Sequence, residues 1–208
     1  MHKWLLFVGL TLPLAAQQPP VDINWQTNIE YSAVGDPVEM DIATPQNGAG
    51  PFPAVLCIHG GGFRAGSRTR YHELIWKLAQ QGYVAATASY RLSPKYQFPA
   101  HLHDVKAAVR FLRAKAKKYN LDPQRIGVTG GSAGGHLALL VGLTGVEAKL
   151  EGHNGHPDAS SRVQAVVNVY GPTEMATLHA TSSVSWIFRL FLGGTPQQVP
   201  DRYQEASP

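Results

Sequence analysis

Six consecutive residues, Gly130-Gly131-Ser132-Ala133-Gly134-Gly135, contain the pattern G-x-S-x-G. They lie between a short strand candidate, Arg125 to Thr129, and an apolar stretch that reads as a helix, Leu137 to Thr144. On a tight strand-to-helix turn a serine is lifted into a strained, accessible position, from which its Oγ attacks a carbonyl carbon. The flanking glycines suit that turn, because a Cβ there would strike neighbouring backbone or forbid the conformation. The start of the following helix adds positive partial charge where the oxyanion would form. The same residues also fit a glycine-rich turn whose serine merely caps a helix. Alone, the hexapeptide does not separate the two.

His59-Gly60-Gly61-Gly62-Phe63 supplies the second signal, directly after the apolar run Pro53 to Ile58. Three glycines in a row let bare N–H groups come within about 3 Å of a carbonyl oxygen that turns negative during attack. A phosphate cradle is the other reading, but no Lys-Ser or Lys-Thr follows at Walker spacing. His59 is expected to hold the loop, because an elbow serine of this kind precedes its acid and its histidine in the chain. After Ser132 the histidines are poorly placed. His136 shares the serine's helix, with its ring expected to project away from Oγ. His153, His156 and Asp158 fall in a Gly/Asn/Pro-rich loop expected to be solvated, with adventitious metal binding as the minor alternative. His179 and Asp201 fall in the segment 172–208, read as a cap or lid.

The elements that must position these residues follow from periodicity. Ile29–Ala33 and Val38–Ile42 read as strands separated by the turn Gly35-Asp36-Pro37, and 44–51 as a surface loop. Pro53–Ile58 and Tyr83–Tyr90 are continuous apolar runs, expected as strands buried on both faces. Tyr71–Gln81 is helical by the spacing of Leu74, Ile75 and Leu78, with Gly82 at its end. Asp104–Tyr119 is an amphipathic helix with Val105, Ala108, Val109 and Leu112 on the core side. Lys106, Arg110, Arg113 and Lys117 lie on a side expected to be solvated. Asp122-Pro123 marks a turn, and Arg162–Tyr170 is the last strand, with an almost wholly apolar core from Val163 to Val169. Strands alternating with helices predict a three-layer α/β sandwich around a mostly parallel sheet. Residues 173–208 show short helical pieces around Trp186–Leu192 and no further strand.

Composition narrows the class. Of 208 residues, 44% are hydrophobic and 15% charged, enough for a core and unlike a disordered chain. The net charge of +4 is scattered rather than gathered in a stripe, so no nucleic-acid partner is expected. Cys57 is the single cysteine, which excludes an intramolecular disulfide and any CxxC motif. Lys3, the apolar run Trp4–Leu14 and the small pair Ala15-Ala16 have the order of a secretory signal peptide, assigned to residues 1–18. The expected location is therefore secreted or periplasmic, without stable membrane insertion once the leader is removed. A short N-terminal anchor is the alternative, although the run is shorter than the ~20 residues of a spanning helix. The folded domain is assigned to 19–208.

Taken together, His59–Phe63, Tyr90-Arg91-Leu92, Phe98-Pro99-Ala100, Asp104 with its helix, Gly130–Gly135 and Tyr170-Gly171-Pro172-Thr173 occur in order over about residues 30–208. In this they resemble the hormone-sensitive-lipase-like and feruloyl-esterase-like α/β hydrolases that carry an HGGG motif. The resemblance implies an α/β-hydrolase fold and a serine ester hydrolase acting on small acyl or plant-polysaccharide esters, with no cofactor. It implies Ser132 as nucleophile and the N–H groups of Gly61, Gly62 and Ala133 as oxyanion hole. Tyr90-Arg91 and Asp104 become structural supports. It also implies a triad acid and histidine on loops after two further strands, for which this sequence offers no candidate. The expectation is thus a chain lacking the last strands, inactive or very weak as it stands. A peptidase of the same fold and a catalytically dead binding protein are the competing readings.

Overall fold

The computed structural model describes residues 18–208, so the leader assigned to 1–18 falls, but for Gln18, outside the described residues. The first two strands are longer than their apolar cores suggest. β1 (Ile23–Ser32) and β2 (Val38–Pro45) pair antiparallel across the expected turn, with two irregularities in β1 that absorb its polar residues. β3 (Phe52–Ile58) leads through the glycine loop to α1 (His72–Gln80), which Gly82 terminates at φ +87°. β4 (Val84–Ala88) follows, then α2 (Ala100–Ala114) and the single turn α3 (Ala116–Tyr119). β5 (Leu121–Gly131) runs into α4 (Ala133–Leu143). β6 (Ala165–Val169) and the short helices α5 (Met175–Thr181), α6 (Ser185–Leu192) and α7 (Pro200–Glu205) complete the chain. Among the described residues, no helix is long and apolar enough to cross a membrane.

The six strands among the described residues form one sheet in the order β1-β2-β4-β3-β5-β6. β4, β3, β5 and β6 are mutually parallel and the β1–β2 hairpin joins antiparallel at β4. Alternation along β3 shows why both faces need cover. Ala54, Leu56 and Ile58 enter a core shared with Leu102, Val105, Val109 and Leu137 of α2 and α4. Val55 and Cys57 face the other way, toward Ile75, Trp76 and Ala79 of α1. The three-layer α/β sandwich with a mostly parallel sheet is what the sequence pattern predicts. The Asp122-Pro123 turn signal is accommodated inside β5. Pairing with β3 stops after Leu121 and resumes at Ile126, so residues 122–125 bulge from the ladder.

One expectation fails in part, for a tertiary reason. On the basic side of the helix Lys106 (0% exposed) and Arg110 (2% exposed) are buried, while Lys117, in α3, is exposed as expected. The segment after α4 folds back over them. Lys106 Nζ donates to the Thr144 carbonyl (2.9 Å) and to the Glu151 carboxylate, while Arg110 donates to the carbonyls of Glu151 (3.0 Å) and Asn154 (2.6 Å). Arg113 binds the carbonyls of Pro123, Ser160 and Arg162. A glycine-rich loop has many carbonyls and few side chains to satisfy them, so the helix supplies the donors. β6 is shorter than the expected Arg162–Tyr170 and, at the sheet edge, leaves Val167 59% and Val169 42% exposed.

Burial pushes the Glu151 carboxyl up, but hydrogen bonds from Lys106 and Ser161 outweigh it and hold the group below the ordinary carboxylate value. Removing this carboxylate strands two buried cations. Glu151→Ala is therefore expected to lower the unfolding free energy by roughly 3 kcal/mol in urea denaturation. A loss under about 1 kcal/mol would mean that solvent already screens the trio.

Candidate active site

Ser132 sits where β5 gives way to α4, with φ +56° and ψ −124°. A non-glycine residue in that region is strained, and it persists only where its surroundings over-determine it. Here they do. Ser132 N–H donates to the Val169 carbonyl of β6 (3.0 Å), and Ser132 C=O accepts the first helical bond from His136 N–H (3.0 Å). Gly134 completes the turn by close approach, since a Cβ on it would lie 2.0 Å from the Ile58 carbonyl oxygen. The side chain of Ser132 is half-buried, and among the described residues its Oγ has no hydrogen-bond partner.

The glycine loop passes beside this serine. A Cβ on Gly60 would lie 3.3 Å from Ser132 Cβ. Gly61 takes φ +127°, where a Cβ would lie 2.0 Å from the Ala65 carbonyl oxygen, so the loop tightens through an Ala65 N–H to Gly61 C=O bond of 3.1 Å. Among the described residues, the N–H groups of Gly61 and Gly62 have no acceptor. Ala133 opens α4, where an N–H has no intrahelical partner. His59 braces the loop from below. Its ring stacks on Tyr90 (centroids 4.4 Å apart), its Nδ1 lies 2.8 Å from Gly60 O, and Tyr90 Oη donates to its carbonyl at 2.9 Å. Asp104, wholly buried, accepts the backbone and guanidinium N–H groups of Arg91 together with Asn154 Nδ2 (2.7 Å). Both arrangements are the structural supports expected of these residues.

The helical piece expected around Trp186–Leu192 is α6, and what the sequence did not show is that it is seated on the loop. Methyl groups of Ile187 lie 3.2 and 3.3 Å from the position of a Gly62 Cβ. Phe191 stacks on Phe63 at 3.7 Å, and Arg64 lies over the Trp186 ring at 5.0 Å. Three successive loop residues thus meet one helix. The available signal was the i, i+4 spacing of Ile187 and Phe191, which marks one face of a helix without saying what that face covers.

None of the histidines after Ser132 touches it. His136 is buried with Nε2 2.7 Å from the Ala206 carbonyl, pointing away from Oγ as expected. His153 and Asp158 are exposed, His156 lies beside Phe111, and His179 packs on Tyr203 while Asp201 is exposed. Among the described residues, no group of three or more acidic, histidine or cysteine side chains is arranged to hold a metal ion.

A mostly parallel sheet layered by helices, with a strained serine at a strand-to-helix elbow and a glycine loop beside it, defines a protein of the α/β-hydrolase fold. Within that fold the chain belongs to the BD-FAE family, whose sequence model matches residues 40–208. It is similar to a truncated form of a carbohydrate esterase from gut microbiota (TM-score 0.82, 29% identity), covering 92% of this chain and 74% of that one. The bifunctional GH43-CE protein of Bacteroides eggerthii is also similar (TM-score 0.79, 33% identity, 88% and 28% covered). Esterase LipC of Mycobacterium tuberculosis is 33% identical over 163 residues, 76% of this chain and 40% of its own length. The chain spans less than half the length of the curated relatives it matches.

Three buried histidines around the loop give the site a pH signature. Burial pushes His101 down to about 3 and His136 to about 4, and lowers His59 as well. The unfolded chain binds these protons near pH 6.5 while the folded state resists them. Stability is therefore expected to be fully present above pH 6.5 and to fall steadily as pH drops toward 4. Urea denaturation across that window checks it, and His136→Asn should flatten the slope by about one proton.

Proposed function

We propose that the protein is a serine carboxylic ester hydrolase that works through an acyl-enzyme on small acyl or plant-polysaccharide esters. The observation that carries this is the Ser132 elbow at φ +56°, set beside a loop whose Gly61 and Gly62 N–H groups are unspent. In this reading Ser132 Oγ attacks the ester carbonyl and the displaced electron pair moves onto oxygen. The N–H groups of Gly61, Gly62 and Ala133 hold that oxyanion. Collapse of the tetrahedral intermediate breaks the bond to the alcohol, which departs with the proton given up by Ser132 Oγ, and water then releases the acid by the same path, returning a proton to Oγ. The names of the similar proteins, esterases in the curated set and carbohydrate esterases among the structures, support this reading. The leader pattern at residues 1–18 supports a secreted or periplasmic location, where polymeric esters are met. Helices α5 to α7, through the seat of α6 on the loop, support a cap role for 172–208.

One observation favours a second reading, a fold kept for binding: no histidine among the described residues bonds to Ser132. Without a base the serine stays protonated and weakly nucleophilic. Hydrolysis of p-nitrophenyl acetate and labelling by a fluorophosphonate separate the two. The ester-hydrolase reading expects labelling and a slow hydrolysis, of the size an oxyanion hole supplies without a base, in the wild type, and the loss of both in Ser132→Ala. Gly61→Ala, whose Cβ must displace the Ala65 carbonyl, is expected to reduce turnover about 100-fold. A well-folded wild type that neither hydrolyses nor labels would overturn the reading and leave the binding function.

A further inference from the structure

Asp41 is a carboxylate in the middle of β2 and is only 1% exposed. By alternation it shares a face with Ala43, on the side of the sheet that α1 covers. Arg68, Asn28 and His72 meet its charge. Arg68 Nε lies 2.9 Å from Oδ1, the Asn28 N–H donates to the same oxygen at 2.8 Å, and His72 Nε2 lies 2.7 Å from Oδ2. Arg68 also donates to Glu39 (2.9 Å), and its carbonyl accepts the Thr87 hydroxyl at 3.1 Å. Apolar packing in place of a buried ionic group often stabilises a fold equally well. What the carboxylate adds here is a fixed path for the short turn Arg68–Tyr71, gripped on either side of Tyr71.

The half-buried Tyr71 ring packs on the cluster that holds Cys57, Ile75 and Trp76. Its hydroxyl reaches the residue before the serine, since a Cβ on Gly131 would lie 3.2 Å from Tyr71 Oη. Glycine at 131 leaves a space, and the phenol fills it. Tyr170 Oη reaches the same space at 3.1 Å, but from an exposed side chain. Burial pushes the Tyr71 hydroxyl above its ordinary value, and the Gly131 backbone draws it part of the way back. From the α4 side, Gly134 closes on the Ile58 carbonyl, so the elbow is held from both layers. Its other tether, the Ser132 N–H to the Val169 carbonyl, runs to β6 at the edge of the described sheet.

We propose that Tyr71 is a positioning residue for Ser132: Asp41, through Arg68 and His72, fixes the Tyr71 hydroxyl against Gly131, and this strut keeps the serine at its strained φ. A residue at φ +56° relaxes unless its surroundings block every way out. Gly134 blocks movement toward α4. Without the phenol hydroxyl, the peptide at Gly131 is free to swing toward α1. That swing carries Oγ away from the Gly61 and Gly62 N–H groups, and a misplacement of about 1 Å at a reacting centre costs heavily in rate. The role in reaction rests on the reading of Ser132 as the nucleophile, while the strut itself is a matter of backbone geometry.

The test compares wild type with Tyr71→Phe, which keeps the ring and loses the hydroxyl. Amide hydrogen exchange followed by NMR reads the elbow directly. The Ser132 amide is expected to exchange about tenfold faster in Tyr71→Phe, while the amides of β3 and β4 keep their wild-type rates. Fluorophosphonate labelling of Ser132, measured where both proteins are fully folded, is expected to slow about tenfold. A tyrosine that only stabilised the fold would lower the urea midpoint and leave labelling of the folded protein unchanged. His72→Ala is expected to reproduce both effects, and His72→Gln, which keeps an N–H for Asp41, to restore wild-type behaviour. Unchanged exchange at Ser132 in Tyr71→Phe, or unchanged labelling of the folded variant, overturns the proposal. A wild type that does not label at all is the failure of the ester-hydrolase reading instead, and the exchange rates then decide the strut alone.

Discussion

The first turn of α4 rests directly on the last carbonyl of β3. Gly134 has no side chain to hold the two apart, and the Ile58 oxygen occupies the space where its Cβ would stand. Because His59 follows Ile58 in the chain, this contact fixes the distance between the serine elbow and the glycine loop. It joins two strands that lie side by side in the sheet but more than sixty residues apart in sequence. The strain at Ser132, the path of Gly60 beside it and the brace of His59 on Tyr90 are all arranged about that point. A helix allowed to sit even a methyl group farther out would uncouple the nucleophile from the groups proposed to stabilise its product.

Constraints of this kind are legible in a sequence because they are local. Glycines at Gly61 and Gly134 are demanded by atoms a few residues away or on an adjacent strand, and the runs at Pro53–Ile58 and Tyr83–Tyr90 announce strands covered on both faces. The α/β architecture follows from those runs and the helices between them. The fate of Lys106 and Arg110 was not legible, because it depends on Glu151, about forty residues later in a loop with no periodicity of its own. A basic stripe on an amphipathic helix normally faces water, and only the returning segment reverses that.

The candidate site divides along the same line. Ser132 and the glycine loop came from pattern, but the partners that hold them came from packing. Ile187, Phe191 and Trp186 sit more than a hundred residues beyond Gly62, Phe63 and Arg64. Between Phe63 and α4 lies a buried cluster of Phe191, His101 and His136, rings packed edge to face with few hydrogen bonds among them. Shape rather than directed bonding transmits the position of α6 to the loop, and aromatic side chains suit that role because they are large and have few rotatable bonds.

The loop that returns over α2 has a consequence for how this protein can change over time. Most of the bonds that anchor it run from Lys106, Arg110 and Arg113 to its backbone carbonyls at Thr144, Glu151, Asn154, Ser160 and Arg162. Every amino acid carries such a carbonyl, so the anchoring reads the path of the chain and is blind to most of its side chains. Glu151, Asn154 and Ser161 are the exceptions, tied through their own polar atoms. Positions such as His153 and Asp158, exposed and without side-chain hydrogen bonds among the described residues, are open to drift. The three cations on α2 are not, and a family alignment should show a nearly fixed helix beneath a freely varying strap.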